Sequence, residues 1–150
     1  MKQLESEALQ SLHVLLQQMN ACAQELETTT QHEYEAIRSL QAEQILSLSE
    51  RRISIFQCLT QLEEDCRRQL GSHGIPDELS LESVIEMYAG ERAADYQALR
   101  RNLYERFMNI DKRSQENRLR MHAAYNVSST ILQHLGLSSV KQTYDRRTMR

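Results

Sequence analysis

The sequence predicts an all-α protein: an elongated antiparallel arrangement of long helices, packed as a helical hairpin or coiled-coil-like bundle, with a flexible C-terminal tail. Three observations carry this prediction. The 150 residues include four Gly and one Pro, the two residue types that break helices. Aromatics make up 5% and Trp is absent, so little large-ring area is on hand for a compact core. Apolar residues recur at alternating steps of three and four, the seam of helices that pack lengthwise.

The first helix is predicted over 3–40. Its seam runs Leu12, Leu15, Met19, Cys22, Leu26 and Thr29, then Ile37 and Leu40. The run Thr28–Thr29–Thr30 weakens it, because β-branched side chains lose rotamer freedom in a helix. "TQHE" at 30–33 could instead cap a new helix, but the seam resumes in phase at Ile37. After Leu40 the phase slips and restarts at Ile45 and Leu48, which marks a kink or tight turn near 39–44. A second helix over 44–70 follows, with Ile55, Leu59, Leu62, Cys66 and Leu70 on its seam. Ile53 and Phe56 widen that stripe, so this helix is expected to touch two neighbours. The two helices either go out and back or form one long bent rod.

"GSHGIPDELSLES" is the clearest boundary. Gly71 is the expected helix terminator, Gly74 and Pro76 make a turn, and Ser80 reads as an N-cap with Leu79 and Val84 as a hydrophobic staple. Gly90 either ends a short helix or is tolerated as a kink. Nothing then breaks a helix from Glu91 to Leu135, a rod of roughly 65–70 Å. Its seam is Leu99, Leu103, Phe107, Ile110, Asn117, Met121, Ala124, Ser128, Ile131 and Leu135, and Gly136 ends it. The helical domain is therefore set at 1–135 and the tail at 136–150.

Charge and motifs exclude several classes of function. Lys141, Arg146, Arg147 and Arg150 against Asp145 put the tail at +3 within a chain at −3, which leaves the body at −6. An acidic body lacks the basic stripe that phosphates require, so no nucleic-acid partner is expected. Arg100–Arg101 and Arg118–Arg120 lie among Glu91, Asp95, Glu105 and Glu116, as on a salt-bridge-laced helix face. No apolar run reaches the ~18 residues of a membrane span. The N-terminus lacks a signal peptide's apolar block, so a cytoplasmic location is expected. Cys22, Cys58 and Cys66 form no CxxC and read as reduced structural thiols. The five His are scattered, and no nucleotide, metal or nucleophile motif is present. No cofactor, metal or enzyme activity is expected.

One feature stands apart. Val127, Ile131, Leu132, Leu135, Leu137 and Val140 form an apolar strip at the end of the last helix and just past it. Either it packs on the N-terminal helix, or it lies past the end of shorter partner helices. In the second case it is a surface for a partner helix. Asn117, on the seam, can fix helix register or face a client.

Several short stretches together resemble the FlgN-like family of flagellar type III export chaperones, which escort hook-filament junction proteins. "HEYEAIRSL" is similar to that family's acidic stretch in the first helix, with Glu33 to Leu40 carrying the likeness. A basic residue follows in the second helix, Arg51 or Arg52. "ELSLESV" at 78–84 resembles its post-turn helix start, and "SQENRLRM" its Asn motif. Asn117 matches there, while Ser114 stands where the family has an earlier Asn. "QTYDRRT" resembles the tail, with Thr143, Tyr144 and Asp145 matching and Arg147 in place of a Gly.

The resemblance implies a non-enzyme. It would bind terminal amphipathic segments of flagellar hook-associated junction proteins, through the strip 127–140, and keep them unpolymerised. It would touch an export-gate component through Tyr144, with Arg146, Arg147 and Arg150 steering the tail. Monomer and homodimer both stay open. A structural coiled-coil scaffold subunit that homo-oligomerises is the alternative, and it requires a seam buried through residue 135.

Overall fold

A computed structural model describes residues 3–136 of the chain. The elements are α1 (Ser6–Arg38), α2 (Ala42–Ser72), α3 (Leu81–Tyr88), a 3₁₀ turn at Gly90–Arg92 and α4 (Ala93–His134). No strand occurs among the described residues. Successive long helices alternate in direction. Along α1, Ala8 meets Gln69, Cys22 meets Cys58 and Glu25 meets Arg51, so α2 runs back. Leu9 meets Tyr96, Glu27 meets Arg106 and Thr30 meets Asn117, so α4 runs forward beside α1.

The hairpin, rather than the bent rod, is therefore the arrangement of α1 and α2. The turn between them follows from a helix stop. Gln41 N–H donates to Ala36 O at 3.0 Å and Leu40 N–H to Ile37 O at 3.1 Å, the paired bonds of a Schellman motif. The left-handed residue that such a motif needs is Leu40, at φ 53°. An L side chain there costs roughly 1–2 kcal/mol. Leu40 was expected on the seam and is instead exposed, because the chain has already left the helix.

α1 is the common partner. Ala8, Leu15, Cys22, Thr29 and Ala36 are spaced by seven, and Ala8 and Cys22 on that line meet α2. Leu9, Leu16, Ala23 and Thr30 form a parallel line, whose ends meet α4 at Tyr96 and Asn117. Leu12 and Leu26 are almost wholly buried, each worth roughly 1.5–3 kcal/mol. The threonine run does not break the helix. Thr28, Thr29 and Thr30 donate their hydroxyls to Gln24 O, Glu25 O and Leu26 O, one turn back, at 3.1, 2.8 and 2.6 Å. This satisfies the polar atoms while the methyl groups of the buried Thr29 and Thr30 pack.

The second helix was expected to touch two neighbours along its length, and it does not. No Cα of α4 comes within 8 Å of one in α2, and Ile53 and Phe56 are exposed. The wide stripe reflects apolar residues left on the outer side of a one-sided helix.

The α2 stop also moves. The helix runs through Gly71 to Ser72, and the left-handed residue is Gly74 at φ 79°. Ile75 N–H bonds Leu70 O at 3.2 Å and its side chain is buried, the apolar contact that accompanies such a stop. Ser80 caps α3 as expected, its Oγ accepting from Ser83 N–H at 3.2 Å. Gly90 ends the short helix segment rather than kinking through. Its φ is 58°, and a Cβ there would lie 2.6 Å from the Gln3 side chain. Leu4 N–H bonds Tyr88 O at 3.0 Å beside it, so the start of the chain is laced onto the α3–α4 corner.

Candidate functional site

α4 begins as a core helix. Tyr96, Leu103, Ile110 and Asn117 are its buried residues, each seven apart. Tyr96 is 0% exposed. Its hydroxyl donates to Leu9 O at 2.6 Å and the Arg92 guanidinium lies 5.3 Å from its ring centre. Arg106 bridges Asn20 Oδ1 at 2.6 Å and Glu27 Oε1 at 2.7 Å. The Glu27 hydrogen bonds push the guanidinium pKa up, against partial desolvation.

Asn117 is the last of this series and is 4% exposed. It sits in a polar cluster joining three helices. Its Nδ2 donates to Thr30 O at 3.0 Å, and its Oδ1 accepts from Arg120 Nη1 at 3.2 Å. Thr30 Oγ1 accepts from Arg52 Nη2 at 2.7 Å, and Arg52 also pairs with Glu33. Arg113 donates to Gln31 Oε1, and the Arg120 guanidinium stacks 4.8 Å from the Tyr34 ring centre. Of the two basic residues at issue in α2, Arg52 is the one drawn into this cluster. Arg51 pairs with Glu25 at the surface. Among the described residues Ser114 Oγ is buried and has no hydrogen-bond partner.

Past Asn117 the environment changes. α1 ends at Arg38, eight residues past Thr30 and so level with about residue 125 of the parallel α4, which runs on to His134, roughly 13 Å further. No residue from 118 to 136 is buried. The stripe nevertheless continues in phase through Met121, Ala124, Ser128, Ile131 and Leu135. Val127, Ile131, Leu132 and Leu135 are 60, 53, 46 and 66% exposed. These four proposed contact residues share one broad helix face. Tyr125, also exposed, joins this face and was missed from sequence. Its steps of four from Met121 and seven to Leu132 were the available signal. Leu137, Val140 and Tyr144 lie outside the described residues.

Among the described residues, no three His, Cys, Asp or Glu side chains could hold a metal ion. No helix among them is long and apolar enough to cross a membrane. Fold and surface together define an all-helical protein whose longest helix carries its apolar stripe past the end of its partner. The family model described as FlgN protein matches residues 1–149. The chain thus belongs to the FlgN family, a family of flagellar export chaperones. No curated protein and no solved structure matches it.

Proposed function

We propose that this chain is a cytoplasmic chaperone that binds the terminal amphipathic segments of hook-filament junction proteins. It holds them along the free end of α4, keeps them unpolymerised and delivers them to the export gate. The observation that carries this reading is the apolar stripe running in phase through residues 127–135, past the end of α1. Residues 127–135 expose side chains at helical spacing, which is what an amphipathic segment packs against. Leu137 and Val140 continue the pattern in sequence. Tyr144, close behind, is the contact to the export gate, since one ring offers a large area at low entropic cost. Asn117 holds the register of α4 on α1, so the free end starts at a fixed place.

The test is calorimetry with a peptide carrying a junction protein's terminal helix. Ile131→Asp combined with Leu135→Asp should weaken binding at least about 100-fold, because each buried Leu or Ile is worth roughly 1.5–3 kcal/mol and ~1.4 kcal/mol is tenfold. Tyr144→Ala should bind the peptide normally and fail in secretion. Unchanged peptide binding by the double variant would remove the reading. A wild-type chain that self-associates through 127–135 and ignores the peptide would establish the scaffold alternative.

A further inference from the structure

The fold brings two thiols together that are 36 residues apart in sequence. Cys22 Sγ lies 3.8 Å from Cys58 Sγ, midway along the α1–α2 hairpin. Both are free; Cys22 is buried and Cys58 is exposed. Cys66 is the third thiol and is also buried. It lies two turns further along α2 from Cys58, about 12 Å by helical rise, so neither of the other thiols reaches it while the helices stand. A disulfide needs its sulfurs at ~2.05 Å, and the Cys22–Cys58 pair can close that gap by side-chain rotation and a small approach of the helices.

We propose that Cys22 and Cys58 form a reversible dithiol–disulfide site that staples the hairpin when the chain meets a hydroperoxide. The exposed Cys58 reacts first. Its sulfur takes the terminal oxygen of the peroxide, the O–O bond breaks, and the alcohol or water fragment leaves with the proton of the thiol. The Cys58 sulfenic acid then faces Cys22. The Cys22 sulfur attacks the Cys58 sulfur, the S–S bond forms, and hydroxide departs and takes the Cys22 proton as water. Two electrons pass from the two sulfurs to the peroxide, and a dithiol reductant reverses the step.

The division of labour follows from the surroundings. Burial first, then the neighbouring Cys58, pushes the Cys22 thiol up to about 11, so Cys22 rests as a thiol. It gives up its proton only when the sulfenic acid provides a leaving group. Cys22 also waits where it intercepts that sulfenic acid before further oxidation. Closing a loop of this length restricts the unfolded chain, so the oxidised hairpin melts higher. The pair sits midway along the α1–α2 hairpin, and neither thiol belongs to the client surface on the free end of α4.

The experiment uses the full chain, fully reduced and then exposed to hydrogen peroxide. Thiols accessible to a maleimide under denaturing conditions should fall from three to one, with a Cys22–Cys58 cross-linked peptide in the digest. Tm should rise by on the order of 10 °C and return on treatment with dithiothreitol. Cys66→Ser should behave the same way. Cys22→Ser should lose the rise in Tm and give a dimedone adduct at Cys58 instead, which reports the sulfenic acid without requiring the disulfide. A dominant pairing through Cys66, a Cys58–Cys58 link between chains, or an oxidised chain with unchanged Tm would each overturn the proposal.

Discussion

Residues 93–117 and 118–134 belong to one helix and carry one apolar stripe, yet only the first half is a core element. Tyr96, Leu103 and Ile110 are buried against α1, while Ile131 and Leu135 hold equivalent positions on the stripe and stand in solvent. Ala124 and Ser128 thin the stripe of the second half, but Ile131 and Leu135 are as apolar as the buried residues before them. For Ile131 and Leu135 the difference lies in length: α1 stops at Arg38 and α4 does not stop until His134. A stripe records which face a helix can bury, and the partner's reach decides how much of it is buried. The junction between the halves is polar, which places a directional lock where burial of the stripe ends.

The comparison predicts opposite mutational behaviour in the two halves. Tyr96→Ala removes a fully buried ring and its hydrogen bond to Leu9, and should cost about 3–5 kcal/mol by urea denaturation. A loss under 1 kcal/mol would mean the first half is not a core helix. Asn117→Ala should cost about 1 kcal/mol, the worth of a typical buried hydrogen bond. It should also speed amide exchange in the turns around 113–120, which hydrogen exchange would detect. If exchange there is unchanged, the polar cluster does not lock the junction.

Leu40→Gly relieves a left-handed L residue in the turn that ends α1. It should stabilise by up to about 1 kcal/mol and leave peptide binding as it was. The same substitution lowering Tm would show that the Leu40 side chain supports the hairpin end. Tyr125→Ala should have the smallest effect on stability, within ~0.5 kcal/mol, while weakening peptide binding. A large drop in stability would mean that the second half of α4 is packed after all.

Much of the helix inventory was legible in the sequence, because Gly, Pro and capping residues act locally. Ser80 capped α3 where expected, and Gly136 ended α4. The boundary errors have local causes too. Gly71 was a plausible stop, but Gly74 is followed by Ile75, whose burial against the end of α2 rewards the later stop. The seam of α1 was read as one line through Cys22 and Thr29. The second line through Leu9, Leu16, Ala23 and Thr30 was missed because after two Leu it continues as Ala and Thr, which carry little hydrophobic signal, although their small size is what lets helices approach.

The polar cluster had no signature. Asn117 and Thr30 are 87 residues apart and Thr30 and Arg52 are 22 apart, so no local window contains them. The stripe residues 127–135 were found from their spacing, but not whether α1 would cover them. The sequence by itself determined that the chain is helical, where its helices begin and end to within a few residues, and which face of each is apolar. These depend on backbone preference and on spacing within a turn or two. The tertiary structure alone decided that α1 is the shared partner, that α2 and α4 stay apart, and that α4 outruns its support. Those outcomes depend on relative lengths and on contacts between residues far apart in the chain, and the energy of such contacts exists only once the helices are side by side.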